Sequence, residues 1–378
     1  MPGRSFRIGR IAGIPVGVSP LWLVIVALIT WSLGAGYFPE AVHGISTPGA
    51  YALGLASALL LFASILAHEF GHALVARRRG IEVEEIDLWL LGGVSRLRGE
   101  AHAPGDELRF ALAGPAVSAV LGACFGLAAV LLPASTPAAL SALIEYQALV
   151  NGLIFAFNLM PAFPLDGGRV LRALLASRFG YVRATEIAAA IGQFVAFALG
   201  FIGLMVNPIL IFIAIFVYLA ATSEAHMVAL RAASRGVPVS YAMMKQFATL
   251  PPQAHLDEAV QTLLQTGQGE FPVVDGAGLP VGVLGRGDLI RAIKTLGPDA
   301  RVADAMTAEL PTVSHRRCLD DAFKLLLLQT SAPAVGVTDA TGKLVGLVTS
   351  ETIAGMMMLQ HALPNGVQIG PWSRPAGV

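Results

Sequence analysis

Residues 65–74 read ILAHEFGHAL, with His68 and His72 four positions apart and Glu69 between them. On a helix, residues i and i+4 share a face. Both imidazoles can therefore reach one metal ion, and the neighbouring carboxylate can reach a water held beside it. This is the H-E-x-x-H pattern of zinc hydrolases, in which two histidines are ligands and the glutamate is the general base. Five residues also match by chance, so the surroundings matter. Here the motif interrupts an otherwise apolar run, and ionisable groups inside a membrane segment are costly and mark function. The alternative is a buried polar cluster bonded to a neighbouring helix.

A catalytic zinc takes three protein ligands and keeps one position open. Asp166, in NLMPAFPLDGGR at 158–169, is the candidate third ligand. It lies just past a later apolar run, on the side of the membrane where the second run ends. Gly167 and Gly168 let the backbone turn sharply and approach closely. The other role open to Asp166 is an N-cap for a helix starting near Gly168.

The elements that must carry these residues are written in the composition. Of 378 residues, 55% are hydrophobic and 13% charged, about half the charged share of a soluble domain. No charge occurs in Ile11–Pro39, Gly44–Ala67, Phe110–Ile144, Tyr146–Leu165 or Ile187–Ser223. A spanning helix needs about 20 mostly apolar residues. Breaks at Pro133, Pro137 and Asn207–Pro208 divide the longer runs into six expected helices, near 18–38, 50–76, 108–132, 139–160, 185–205 and 208–232. Six spans place every basic cluster on one side: Arg4, Arg7 and Arg10; Arg77–Arg79; Arg169, Arg172 and Arg178; Arg231 and Arg235. By the positive-inside rule both termini are then cytoplasmic, in a multi-pass protein of the cell membrane. The first run lacks a small-residue cleavage site, so it reads as a span and not as a removable signal. A formal net charge of zero gives no pull toward nucleic acid. Cys124 and Cys318 suggest neither a disulfide framework nor a thiolate metal site.

After Gly236 the chain becomes more polar and repeats itself. LDEAVQTLLQTG at 256–267 is matched by LDDAFKLLLLQT at 319–330, and VVDGAGLPVGVLGRGDLI at 273–290 by VTDATGKLVGLVTSETI at 337–353. Each unit reads helix, strand, glycine turn, strand, helix. The expected domains are 1–236 in the membrane, 237–298 and 299–363 as two α/β repeats, and a loose tail at 364–378.

HEFGH on an early helix, with NLMPAFPLDGGR after a later one, resembles the site-2 protease family of intramembrane zinc metalloproteases. The repeats resemble a pair of cystathionine-β-synthase (CBS) domains. The combination is similar to the bacterial subgroup that includes the sporulation pro-sigma-factor processing enzyme. The resemblance covers most of the chain. It implies a polytopic α-helical membrane protease with a C-terminal α/β CBS pair. One zinc would be bound by His68, His72 and Asp166, with Glu69 as the base. The implied substrate is a membrane-spanning protein, such as a membrane-bound transcription regulator or its inhibitor. Asn158 would hydrogen-bond the oxyanion or the substrate backbone, or serve helix packing. GPAVS at 114–118 matches the family's Gly-x-x-x-Asn/Ser/Gly pattern, which implies substrate contact at Ser118 or close packing of helices. The CBS resemblance implies an adenine nucleotide near Asp288 and Thr349. Both signatures depart from the pattern, as GRGD lacks the hydroxyl and TSET has Thr352 where an acid is expected. The pair would otherwise serve dimerisation or docking.

IDLWLLGGVSRL at 86–97 has strand-like content, a break at Gly92–Gly93 and too short a run to span. It is expected to be a short re-entrant strand region that holds an unwound substrate by strand addition, or one that only packs. Two other functions compete: a CBS-gated transporter or channel, and a non-catalytic protein that binds membrane peptides. Transporters often show inverted repeats and interrupted helices at mid-membrane, and neither is visible. The intact Glu69 argues against the silent binder.

Overall fold

The computed structural model describes residues 6–89, 92–98, 103–234, 236–326 and 332–362. It divides into two units, Met1–His226 and Met227–Val378. The expected tail at 364–378 lies outside the described residues.

The chain opens with a hairpin, β1 (Phe6–Ile11) and β2 (Ile14–Val18). Ala12 and Gly13 turn it, both with positive φ (50° and 82°), as a two-residue hairpin turn requires. The first span follows as α1 (Pro20–Ser32), a π-helical turn (Leu33–Tyr37) and α2 (Phe38–Ala41). Next come α3 (Thr47–Arg78), β3 (Glu82–Trp89), β4 (Gly92–Arg98), α4 (Pro104–Leu131), α5 (Ala138–Asn158), α6 (Asp166–Phe179), α7 (Tyr181–Met205) and α8 (Ile209–Ser234). Among the described residues, six helical stretches are long and apolar enough to cross a membrane, as the charge-free runs predict. The helix α6 is not one of them. It carries Arg169, Arg172 and Arg178 and connects two spans.

Local signals explain the ends of α3, the longest span. Ser46 caps it by accepting a hydrogen bond from Gly49 N (3.3 Å), Pro48 sits in its first turn, and Arg77 and Arg78 sit in its last. Close approach of backbones then packs it. A Cβ on Gly71 would stand 2.7 Å from Ala113 O of α4, and one on Gly54 would stand 2.6 Å from Thr30 O of α1. Two buried amides tie α3 to α5: Gln147 donates to Ser57 O and Asn151 donates to Ser64 Oγ, both at 3.2 Å. Small residues and amides are the usual adhesives where lipid offers no hydrophobic drive between helices.

The 86–97 segment is a hairpin, although it begins earlier than expected, at Glu82, and its connecting Leu90–Leu91 lies outside the described residues. It joins the N-terminal hairpin in one sheet of order β1-β2-β3-β4. β2 and β3 run parallel, with Val16 opposite Ile86, and β3 and β4 run antiparallel, with Asp87 opposite Val94. Ile14 and Ile86 pack on Ala73 of α3, and Arg77 donates to Ala12 O at 2.7 Å. The N-terminal hairpin is absent from the expectations. Its short run, broken by Arg7 and Arg10, reads as a charged flank of the first span.

The C-terminal unit contains α9 (Val239–Ala242), α10 (Leu256–Thr266), β5 (Glu270–Val274), β6 (Pro280–Gly285), α11 (Arg286–Leu296), α12 (Val302–Ala305), β7 (Thr307–Ala308), β8 (Thr312–Ser314), α13 (Leu319–Lys324), β9 (Ala334–Thr338), β10 (Leu344–Thr349) and α14 (Ser350–Ala362). The repeat is structural. Val273 pairs with Gly282 in the first copy and Val337 with Gly346 in the second. Asp275 Oδ1 accepts from the amides of Ala277 and Leu279, and Asp339 Oδ1 from those of Thr341 and Lys343. Each turn closes on a left-handed glycine, Gly278 or Gly342. The two cores do not follow the linear order. Val237, Val239 and Ala242 pack in the second copy's core with Val313, Phe323 and Val335, while Val302 packs with Phe271 and Leu289 in the first.

The Gly71 contact yields a test of α3–α4 packing. Gly71→Val should overpack the crossing and cost about 1–3 kcal/mol. The expected reading is a lower thermal midpoint of the detergent-solubilised protein. An unchanged midpoint would show that the helices do not approach this closely.

Candidate metal centre

α3 carries His68 and His72 on one face, and both side chains are buried. Asp166 is the first residue of α6, and the position before it, Leu165, is the N-cap. The Asp166 carboxylate therefore does not cap the helix. Its Oδ2 stands 3.2 Å from His68 Nε2 and 3.2 Å from His72 Nε2, and those two nitrogens are 3.2 Å apart. Among the described residues this is the one group of three or more His, Cys, Asp or Glu side chains placed to hold a metal ion.

The far side of each ring decides what the triangle presents. His72 Nδ1 lies 2.8 Å from Phe110 O of α4. A carbonyl can only accept, so Nδ1 carries the proton and neutral His72 turns the Nε2 lone pair inward. His68 Nδ1 lies 3.0 Å from Ser118 Oγ, also on α4, and donates to it when Nε2 acts as a ligand. Lone pairs then face a carboxylate oxygen, which is repulsive unless a cation lies among them. Donor atoms about 2 Å from a tetrahedral zinc stand about 3.3 Å apart, which matches the edges of this triangle. Two imidazoles and one carboxylate form a three-ligand set of the kind that leaves catalytic zinc its open position. The residues present fit zinc.

Glycines make the approach possible. Gly114 lies midway between Phe110 and Ser118, and a Cβ there would collide with both His68 Nε2 and His72 Nε2. A Cβ on Gly167 would collide with Met160 O, and one on Gly168 would stand 2.7 Å from Phe163 N. The 159–165 loop thus folds against the start of α6.

Glu69 points toward β4. Ser95 Oγ donates to Glu69 Oε2 at 2.7 Å, and a Cβ on Gly93 would collide with Glu69 Cγ. The edge strand of the sheet therefore lies directly on this carboxylate, and Gly92, with φ of 136°, precedes the contact. The other candidates stand as follows. Ser118 is fully buried beneath His68. Asn158, the last residue of α5, donates through Nδ2 to Ile154 O at 2.9 Å. In the C-terminal unit, Asp288 accepts from Arg291 at 3.0 Å. Thr349 and Thr352 bond reciprocally: Thr352 N donates to Thr349 Oγ1 at 3.2 Å, and Thr349 N to Thr352 Oγ1 at 3.0 Å. The expectations omitted Ser95 and Phe110. Ser95 is one small polar residue in a strand pattern and carries no motif of its own, and Phe110 acts through a backbone carbonyl, which no residue type announces.

The model of peptidase family M50 matches residues 56–137 and 133–199, and that of the CBS domain matches residues 239–295. The chain is 37% identical over 370 residues to "Putative zinc metalloprotease Rip3" of Mycobacterium tuberculosis, covering 93% of each chain. It is 29% identical over 356 residues to "Zinc metalloprotease MJ0392" of Methanocaldococcus jannaschii, covering 94% of this chain and 96% of the relative. Of solved structures, "Site-2 Protease from Methanocaldococcus jannaschii" is 32% identical with a TM-score of 0.41, over 59% of this chain and 95% of that one. With 37% identity across 93% of both chains, the protein belongs to peptidase family M50 and is a zinc metalloprotease with membrane-spanning helices and a CBS domain after them.

Proposed function

We propose that His68, His72 and Asp166 hold one zinc ion per chain, that Glu69 is the general base, and that the substrate is a membrane-spanning protein cut in or near its spanning segment. The observation that carries this is the buried triangle of three donor atoms, each edge 3.2 Å. A membrane-bound transcription regulator, or its inhibitor, is the substrate class that regulated intramembrane proteolysis implies.

Zinc at this position supplies a Lewis acid for the scissile carbonyl and acidifies water. Glu69 takes a proton from the attacking water and delivers it to the leaving amide nitrogen. Ser95 holds the Glu69 carboxylate, and α4 fixes the tautomer of His72 through Phe110 O and gives His68 Nδ1 a partner in Ser118 Oγ. A helical substrate hides its peptide bonds, so it must unwind first. The outer side of β4 is the edge of the sheet, and an extended segment added there would run past Glu69. Gly92 and Gly93 keep that strand close to the base. An oxyanion role for Asn158 would use the amide proton not given to Ile154 O.

Both termini are placed in the cytoplasm, supported by Arg7, Arg10, Arg77–Arg79 and Arg231 beside the spans on one side. The second half of the C-terminal unit is read as a second CBS domain, supported by the matching Asp and Gly turns. The pair modulates the protease and supplies a surface for homodimerisation. If it binds adenine nucleotide, Asp288 holds a ribose hydroxyl, because the Thr349 hydroxyl is engaged with Thr352.

Glu69→Gln should lower cleavage of a single-span substrate by about 10²–10⁴-fold while zinc content stays stoichiometric, and His68→Ala should lose both zinc and cleavage. Near-normal proteolysis by Glu69→Gln would rule out the assigned base. Ser118→Ala should weaken zinc affinity about 10–100-fold, read by chelator competition; the substrate-contact role would instead leave affinity intact and raise KM. Titration of the full chain with ATP and AMP should show binding that Asp288→Ala weakens. No binding at millimolar nucleotide would leave the pair a docking role only.

A further inference from the structure

The helix that brings Asp166 to the histidines carries two arginines, three and six residues further on. Arg169 lies over the ring of Phe110 at 5.7 Å, the residue whose carbonyl holds His72. Arg172 is 5% exposed and takes part in two ion pairs. Its Nε donates to Glu107 Oε1 of α4 at 2.7 Å, and its Nη1 donates to Glu224 Oε1 of α8 at 2.6 Å. The guanidinium lies against the rings of Phe163, at 5.0 Å, and Tyr181, at 4.8 Å. One cation thus joins α6 to the helix that orients both histidines, to α8, to the loop just before Asp166 and to the start of α7.

Holding helices together does not require such a group. Apolar side chains of similar volume would pack as well, because the cost of stripping water from buried charges offsets much of their attraction. What a guanidinium fork adds is direction. It fixes angle and register through paired, geometrically demanding hydrogen bonds. Asp166 needs that kind of constraint. It comes from the start of a separate helix, its Oδ2 must meet two nitrogens at once, and a metal site tolerates only about 0.5 Å of drift. Glu107 is one turn from Phe110, so the register that Arg172 sets is measured against the same stretch of α4 that holds His72.

We propose that Arg172 is the positioning residue for Asp166: with Glu107 and Glu224 it sets the register of α6 against α4 and so places the third donor on the histidine pair. This rests on the reading of the triangle as a metal site. The residue touches neither substrate nor metal, and its effect passes entirely through Asp166.

The full-length protein in detergent micelles provides the test, with zinc affinity read by chelator competition, the visible spectrum of the cobalt-substituted protein, and the thermal midpoint of the metal-free form. Arg172→Met alone leaves Glu107 buried without a partner and is expected to fold poorly. The informative variant is therefore Arg172→Met combined with Glu107→Gln, which removes the buried pair and leaves charged only the more exposed carboxylate, Glu224. It should keep its thermal midpoint, lose about tenfold or more in zinc affinity, and show a cobalt spectrum shifted toward that of Asp166→Ala. Glu224→Gln, at the more exposed arm, should move affinity and spectrum in the same direction by less. A double variant that folds and binds both metals as the wild type does would overturn the proposal. If the double variant does not fold, wild-type affinity and spectrum in Glu224→Gln would overturn it. Absence of metal binding by the wild type would instead sink the metal-site reading itself.

Discussion

Two imidazole nitrogens and a carboxylate oxygen are held within 3.2 Å of one another inside a bundle of apolar helices, and the rest of the membrane unit is arranged around that repulsion. Water does not screen the groups there, and each would rather turn away. They are kept face to face because the opposite side of each ring is already committed. His72 gives its Nδ1 proton to Phe110 O, and His68 sits on Ser118. A cation converts the arrangement from repulsive to favourable, which is why the triangle makes sense as part of a zinc enzyme.

Small residues follow from the same constraint. An imidazole pair can lie against α4 only where α4 has no side chain, and Gly114 is that gap between the two groups of α4 that orient the rings. Gly71 lets α3 itself come close, and Gly167 and Gly168 let the 159–165 loop fold onto the start of α6. Each glycine weakens its helix in isolation, and tertiary contact compensates. The same economy appears at Gly93, where the missing side chain allows an edge strand to lie on Glu69. The edge strand and the proposed general base are thus brought together by one absent Cβ.

The C-terminal unit obeys different physics. Its stability comes from water-excluding cores around Phe271 and Phe323, and its glycines either close turns or, like Gly282 and Gly346, leave room on a strand for a methionine side chain. In both copies an aspartate satisfies the amides of a tight turn and a left-handed glycine closes it. That is why Asp and Gly recur in register while the other turn residues vary. The exchange of segments between the cores, with Val237 and Val239 in the second and Val302 in the first, makes the two copies depend on each other for completion.

Much of this was legible in the residues alone. Six spans follow from the lengths of charge-free runs, because a bilayer imposes a minimum length on any helix that crosses it. The spacing of His68 and His72 follows from helical periodicity, and the repeat from a turn chemistry that few residues can perform. All of these are local properties. Tertiary structure alone decided the rest. Asp166 had two roles open to it, cap or partner of the histidines, and only the packing of α6 on α4 turned its carboxylate toward α3. Ser118 also had two roles open to it, substrate contact or helix packing, and only the folded chain brings its hydroxyl to His68. Phe110 contributes a carbonyl, which every residue possesses. The N-terminal hairpin acquires its meaning by pairing in parallel with β3, far along the chain, after a span and a turn have brought the two together. Contacts between distant segments, made largely through backbone atoms, leave no mark on composition or spacing, so only the folded chain shows them.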